Sequence, residues 1–95
     1  MIYELYDIIA ERKRAPRDGS YTNALLATGQ DRILQKLGEE SIEVIIAATG
    51  QGDQRLIEEF SDLIYHSLVL LVSRDISLAQ IDLELERRHA QRKEA

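Results

Sequence analysis

One segment of this chain carries apolar side chains around almost the whole circumference of its predicted helix. Successive residues of an α-helix are turned by about 100°, and on that projection only a narrow polar arc remains. The apolar positions are Leu56, Phe60, Leu63, Ile64, Leu68, Val69, Leu70, Leu71 and Val72. A helix that is apolar on all sides is usually buried. Because a chain of 95 residues buries only a limited core alone, the pattern predicts an all-α helical bundle completed by homodimerisation.

Proline and glycine divide the chain into its predicted helices. The one proline and five glycines lie at the breaks, where these residues interrupt regular structure. Apolar spacing predicts helices and no strand between them, and polar residues mark their starts. The predicted helices are Ile2–Arg14, one capped by Ser20 and ending at Ala27, Gln30–Thr49, one capped by Asp53 and ending near Arg74, and one opened by Ser77 and ending near Arg92. We therefore expect a single all-α domain over residues 1–95, with four to five helices.

Composition excludes several classes of protein. The net charge of -5 argues against a general nucleic-acid binder, which is normally basic. The absence of cysteine excludes disulfides and thiolate metal sites. Acids at Glu4 and Asp7 interrupt the apolar run that a signal peptide needs, and the apolar stretch Leu68–Val72 is too short to span a bilayer. We expect a cytoplasmic protein without a membrane partner.

Five acids lie on the two central predicted helices. Glu39, Glu40 and Glu43 share one side of the first helix, and Glu59 and Asp62 share one side of the second, because residues three or four apart are neighbours on a helix surface. If the glycine-containing break folds the two helices into an antiparallel hairpin, these carboxylates converge. Such a cluster repels itself unless protons or cations neutralise it, and hard divalent cations prefer oxygen ligands. The pattern predicts a Mg²⁺ site that serves phosphate chemistry.

The first central helix has an apolar stripe opposite its acids. The stripe consists of Leu34, Leu37, Ser41, Val44, Ile45 and Ala48. An acidic stripe of this kind is often only a solvated helix face, so a helical interaction module without enzymatic activity is one alternative.

On the second helix His66 lies one turn after Asp62. It either orients a ligand carboxylate or is a hydrogen-bonded core histidine.

The segment Ser20-Tyr21-Thr22 begins the short second helix. Its simplest role is that of a helix cap. A helix N-terminus also binds phosphate well, and Lys13, Arg14 and Arg17 add positive charge nearby. A contact with substrate is therefore a second possibility for this segment.

Several segments together resemble the phosphoribosyl-ATP pyrophosphohydrolase family. This family is part of the all-α nucleoside triphosphate pyrophosphohydrolase superfamily and is similar to MazG. The superfamily pattern of EExxE followed by ExxD falls on Glu39, Glu40, Glu43, Glu59 and Asp62. The segments that carry the resemblance are Ser20–Thr22, Leu25–Leu26, Asp31–Glu40, Glu43–Ala48, Asp62–His66, Leu68–Leu71 and Leu83–Arg88.

The resemblance implies the second step of histidine biosynthesis, in which phosphoribosyl-ATP is hydrolysed to phosphoribosyl-AMP and pyrophosphate with Mg²⁺. It also implies a stand-alone form of a domain that is often fused to the phosphoribosyl-AMP cyclohydrolase, and so an association with a separate cyclohydrolase is possible. The resemblance implies metal ligation by Glu40, Glu43, Glu59 and Asp62. Glu39 is assigned the activation of water or further metal ligation. Substrate contact is assigned to Lys36, Ser20, Tyr21 and Thr22.

The acids do not by themselves select the substrate. A MazG-like housecleaning pyrophosphatase that acts on dUTP or on non-canonical nucleoside triphosphates would use the same fold and metal. Only the Ser20–Thr22 segment and the segment Lys36–Glu40 favour phosphoribosyl-ATP, because they resemble that family.

Overall fold

The computed structural model describes residues 1–92 and folds them into five helices. They are α1 (Ile2–Arg14), α2 (Tyr21–Thr28), α3 (Gln30–Gly50), α4 (Asp53–Ser73) and α5 (Leu78–Arg92). No strand occurs among these 92 residues, so the predicted all-α class is confirmed. Residues 93–95 of the predicted domain lie outside the described part. Within residues 1–92, no helix is long and apolar enough to cross a membrane.

Side-chain caps begin two of the helices where the sequence predicts them. Ser20 Oγ accepts a hydrogen bond of 3.2 Å from the backbone N–H of Asn23 and so caps α2. Before α5, the Gln80 N–H donates to Ser77 Oγ and the Ser77 N–H donates to Gln80 Oε1. This reciprocal pair is a capping box. Both caps satisfy backbone donors that lack a partner within the helix.

The predicted cap at Asp53 is wrong. Gly52 occupies the capping position of α4 with φ +87°, and no side chain there bonds the helix N-terminus. Asp53 is instead the first helical residue, where its negative charge interacts favourably with the positive end of the helix dipole. The two-residue connection from α3 to α4 needs the left-handed conformation that glycine adopts without strain.

The long helices α3 and α4 pack against each other as an antiparallel hairpin around the loop at Gln51 and Gly52. Helices α1 and α2 pack at the open end of this hairpin, away from its loop. The core lies there and consists of Ile9, Leu25, Ile33, Leu68, Val69 and Val72. Each of these side chains is at most 3% exposed. The half of the hairpin next to the loop is therefore not covered by the core helices.

The face of α3 that packs within the chain differs from the apolar stripe seen in the sequence. The buried residues of α3 are Ile33, Glu40 and Ala47, so the acidic arc faces α4. The isoleucines on the other side are about half exposed or more, as are two apolar residues of α4. This set, the hairpin apolar surface, comprises Ile42, Ile45, Ile46, Ile57 and Phe60. The expected burial of α4 on all sides is thus incomplete within one chain.

Candidate active site

Three carboxylates meet in the middle of the α3–α4 hairpin. One oxygen from each of Glu40, Glu43 and Glu59 lies within 4.8 Å of the others. Glu43 and Glu59 are each eight residues from Gln51 in the loop, so an antiparallel hairpin brings them to the same level. Glu40 precedes Glu43 by one helical turn and points to the same side. The hairpin thus joins acids from both halves of the sequence pattern.

Two of these acids are almost completely buried. The exposed fraction is 5% for Glu40 and 3% for Glu59. The Oε2 atom of each is buried and accepts no hydrogen bond from any residue in the described range. Burying a charged oxygen without a partner costs free energy. These two atoms are consequently free to bind a cation at the centre of the cluster.

The other oxygens of Glu40 and Glu59 have basic neighbours. Lys36 Nζ lies 3.5 Å from Glu40 Oε1, and Arg55 Nη2 lies 2.6 Å from Glu59 Oε1. Sequence reasoning missed Arg55, although its spacing of four residues before Glu59 is the usual signal of an ion pair on a helix. Each buried acid thus has one oxygen near a positive side chain and one oxygen that is unpartnered.

The surroundings of Glu59 within the cluster raise its pKa. A hydrogen bond with Glu43 and burial raise the pKa of Glu59 above 4.5, against the opposing charge of Arg55. The charges of Glu43 and Asp62 raise it further. Burial alone would lower the pKa of Lys36, but the charges of Tyr21, Glu40 and Glu39 outweigh burial and raise it. The cluster therefore disfavours the charged form of Glu59 and keeps the neighbouring Lys36 cationic.

Asp62 and Glu39 lie at the edge of this arrangement. Both are exposed, and neither belongs to the group of three carboxylates. Asp62 is close enough for its charge to act on Glu59. Glu39 Oε1 lies 3.6 Å from Lys36 Nζ, and its Oε2 accepts a hydrogen bond of 3.4 Å from Gln35. These two predicted site residues reach solvent, as Glu43 does, while Glu40 and Glu59 are buried.

Glu58, the acid next to Glu59, has its own partners. It accepts hydrogen bonds from Gln54 and Arg55 on the exposed surface of α4. Those two bonds lower the pKa of the Glu58 carboxyl. Its carboxylate is not part of the group of three.

The segment Ser20–Thr22 contacts α4 through two of its side chains. The Tyr21 hydroxyl lies 2.9 Å from Nε2 of His66, and the Thr22 hydroxyl is hydrogen-bonded to that of Tyr65. The ring of His66 stands edge-on to the rings of Tyr21 and Tyr65. Ser20 caps α2. Of the three, Tyr21 is therefore the residue whose contacts lead toward the acids.

His66 lies between Tyr21 and the acidic cluster. It is 5% exposed, and its Nδ1 is 3.8 Å from Glu40 Oε1 and 2.8 Å from the carbonyl oxygen of Asp62. The sequence left open whether this histidine serves the core or a ligand carboxylate. The structure places it in the buried layer and next to a carboxylate of the cluster.

An open cavity of about 860 Å³ lies beside the start of α2. Its lining includes Lys13, Arg17, Ser20 and Tyr21, and none of the clustered acids. Binding sites for small molecules commonly have volumes of about 300–1,000 Å³. Tyr21 lines the cavity and also bonds His66, so it connects the cavity to the acids.

Comparison with known proteins agrees with the resemblance seen in the sequence. A family model described as phosphoribosyl-ATP pyrophosphohydrolase matches residues 2–89. A phosphoribosyl-ATP pyrophosphatase from Lactiplantibacillus plantarum is 54% identical over 85 residues, which are 90% of this chain and 80% of that protein. One from Listeria monocytogenes is 52% identical over 88 residues, 93% of this chain and 84% of that protein. One from Clostridium botulinum is 50% identical over 88 residues, 93% of this chain and 80% of that protein. The chain therefore belongs to the phosphoribosyl-ATP pyrophosphohydrolase family.

Proposed function

We propose that this protein hydrolyses phosphoribosyl-ATP to phosphoribosyl-AMP and pyrophosphate, the second step of histidine biosynthesis. Family membership over residues 2–89 supports phosphoribosyl-ATP as the substrate. The observation that carries the chemistry is the pair of buried, unpartnered oxygens of Glu40 and Glu59 in a group with Glu43. A cluster of this kind is built to hold positive charge next to a polyphosphate.

The donor set fits Mg²⁺ as the cofactor. Mg²⁺ prefers carboxylate oxygens and commonly binds one or two carboxylates together with substrate phosphates. Glu40, Glu43 and Glu59 would hold it, with Asp62 as a further ligand at the exposed edge. When bound, Mg²⁺ would offset negative charge on the triphosphate and lower the pKa of an attacking water.

The protein's own side chains supply the remaining steps. Water attacks between the α and β phosphates, and Glu39 is the candidate to hold or deprotonate it, since its carboxylate reaches solvent beside Lys36. Lys36, whose raised pKa keeps it protonated, would contact phosphate or temper the charge of the acids. Ser20, Tyr21 and Thr22 would contact substrate in the adjoining cavity.

Homodimerisation is supported by the surface of the single chain. The accessible surface is 6709 Å², against about 5,600 Å² expected for a compact chain of this mass. The radius of gyration is 15.1 Å, against about 12–13 Å for a compact domain of this length. The hairpin apolar surface and helix α5, which has no buried residue, are the regions that a second copy would cover. A cytoplasmic location and an association with a separate cyclohydrolase remain predictions.

The test is pyrophosphate release from phosphoribosyl-ATP, with dUTP and ATP assayed in parallel, each with and without Mg²⁺. We expect turnover of phosphoribosyl-ATP only, and only with Mg²⁺. Turnover of dUTP or of another triphosphate in its place would retain the site and overturn the substrate. No turnover of any of them would contradict the enzymatic proposal.

A further inference from the structure

The hydrogen bonds of His66 define which of its ring atoms faces the acids. Nδ1 lies 2.8 Å from the carbonyl oxygen of Asp62, and because a carbonyl only accepts hydrogen bonds, Nδ1 carries a hydrogen. In the neutral ring, Nε2 then has a lone pair and accepts the hydrogen bond of 2.9 Å from the Tyr21 hydroxyl. Both edges of the ring are thus held, one by α4 and one by α2.

The same nitrogen faces one oxygen of Glu40. Nδ1 of His66 is 3.8 Å from Glu40 Oε1, and Lys36 Nζ is 3.5 Å from that same oxygen. Two positive or partially positive groups therefore attract Oε1. The second oxygen, Oε2, is buried and has no hydrogen-bond partner in residues 1–92, so it is the oxygen of Glu40 that remains available to a cation.

We propose that Tyr21 and His66 form a positioning pair that holds the Glu40 carboxylate with Oε2 directed at the metal site. Polar groups behind metal ligands orient those ligands and set the affinity for the metal. His66 would act on Glu40 by electrostatic attraction over 3.8 Å, since its Nδ1 hydrogen bonds the Asp62 carbonyl. Here His66 acts on Glu40, and Tyr21 acts on Glu40 only through His66. The inference rests on the proposed function, because it assumes that the cluster binds a divalent cation.

The pair also connects the cavity to the acids. Tyr21 lines the cavity beside α2, and its hydroxyl bonds the histidine that lies near Glu40. A ligand that shifts Tyr21 would therefore shift the group that orients a metal ligand. Substrate contact and metal affinity are thus linked through three neighbouring side chains, Tyr21, His66 and Glu40.

The test is calorimetric titration of the full chain with MnCl2 in the absence of substrate, since Mn²⁺ also takes carboxylate oxygens. We expect His66→Phe to weaken Mn²⁺ binding about 10–100-fold, as for other groups behind metal ligands. Tyr21→Phe should weaken it about threefold to tenfold, the effect of one hydrogen bond. Because Tyr21 is 51% exposed, its variant tests the pair even if His66→Phe does not fold.

Two further variants separate positioning from packing. His66→Asn places an N–H donor near the position of Nδ1 and should restore most of the affinity that His66→Phe loses. Tyr65→Phe removes a hydroxyl that bonds Thr22 rather than His66, and it should bind Mn²⁺ like the wild type. In a double-mutant cycle, adding Tyr21→Phe to His66→Phe should cause no further loss.

The outcomes distinguish this inference from the function on which it rests. Stoichiometric Mn²⁺ binding by the wild type, unchanged in Tyr21→Phe and His66→Phe, would overturn the positioning pair and leave the metal site in place. No Mn²⁺ binding by the wild type would overturn the metal site and the pair together. Additive losses in the double mutant would also contradict the pair, because independent residues add.

Discussion

Glu43 on α3 and Glu59 on α4 face each other across the hairpin, and Glu43 raises the pKa of Glu59. Their carboxylate oxygens, with that of Glu40, lie within 4.8 Å of one another, and the hydrogen bond between the two raises the pKa of Glu59. A proton and a divalent cation would each relieve the repulsion between these carboxylates. The two would therefore compete for this position, and we expect both the stability and the metal affinity of the protein to depend on pH.

The metal-free protein should lose stability as pH rises above the glutamate range. Because the pKa of Glu59 is raised above 4.5 in the folded state, the folded state binds more protons than the unfolded state there. This contribution to the free energy of unfolding is fully present below pH 4.5 and is lost as pH rises through the raised value. We expect Glu59→Gln to remove this part of the pH dependence of the Tm, measured in EDTA.

The control for this experiment is Glu86→Gln, which removes the same charge from the exposed helix α5. Its Tm should follow the wild-type dependence on pH. If wild type and Glu59→Gln had the same dependence, the pKa of Glu59 would not be raised in the folded protein.

Removing single proposed metal ligands should strongly reduce activity without unfolding the protein. We expect Glu40→Gln and Asp62→Asn each to lower kcat/KM at least about 100-fold. Groups that only support a metal ligand cost up to about 100-fold when they are removed, and a ligand itself should cost no less. The Tm of the metal-free variants should equal or exceed that of wild type, because repulsion among the acids falls. Asp53→Asn makes the same change as Asp62→Asn nine residues earlier, outside the cluster, and should keep full turnover. Full turnover in both ligand variants would mean that the metal assignment is wrong.

The helices and the meeting of the acids could be predicted because local signals determine them. Gly52 marks the loop, and Ser20 and Ser77 cap their helices. Because Glu43 and Glu59 are equally far from Gln51 in sequence, any antiparallel hairpin that turns there brings them together. Each of these depends on residues close together in sequence or on one simple turn of the chain.

The environment of the acids could not be predicted in the same way. Helix periodicity separates the acidic arc of α3 from its apolar stripe but does not say which one faces α4. In the structure Glu40 on the acidic arc is buried and Ile45 on the apolar stripe is 63% exposed. The contact of Tyr21 with His66 joins residues 45 positions apart and depends on where α2 packs. Among the neighbours of the acids, Lys36 and Arg55 had local signals, their spacings of four residues to Glu40 and Glu59.

Arg55 should stabilise the metal-free protein and compete with the cation. Its guanidinium bonds the Glu59 Oε1 at 2.6 Å, so Arg55→Gln leaves a buried acid without its positive partner. We expect the Tm in EDTA to fall by about 4–8 °C, the effect of roughly 1 kcal/mol in a domain of this size. Saturating Mg²⁺ should recover most of that loss, because the ion supplies the missing charge.

Arg87→Gln is the matched control, since Arg87 pairs with Glu84 on the exposed surface of α5. Its Tm should change little and should respond to Mg²⁺ like that of wild type. A loss in Arg55→Gln that Mg²⁺ does not reduce would show that Arg55 acts through packing instead.

The hairpin apolar surface should hold two copies of the chain together. Ile45 on this surface is 63% exposed, and a charge there would be buried without a partner in a dimer, at a high cost. By light scattering at micromolar concentration we expect a mass of two chains for wild type and of one chain for Ile45→Glu. Gln30→Glu adds the same charge to α3 at the open end of the hairpin and should remain dimeric. A wild-type mass of one chain would overturn this role, because the exposed isoleucines would then face solvent in the working protein.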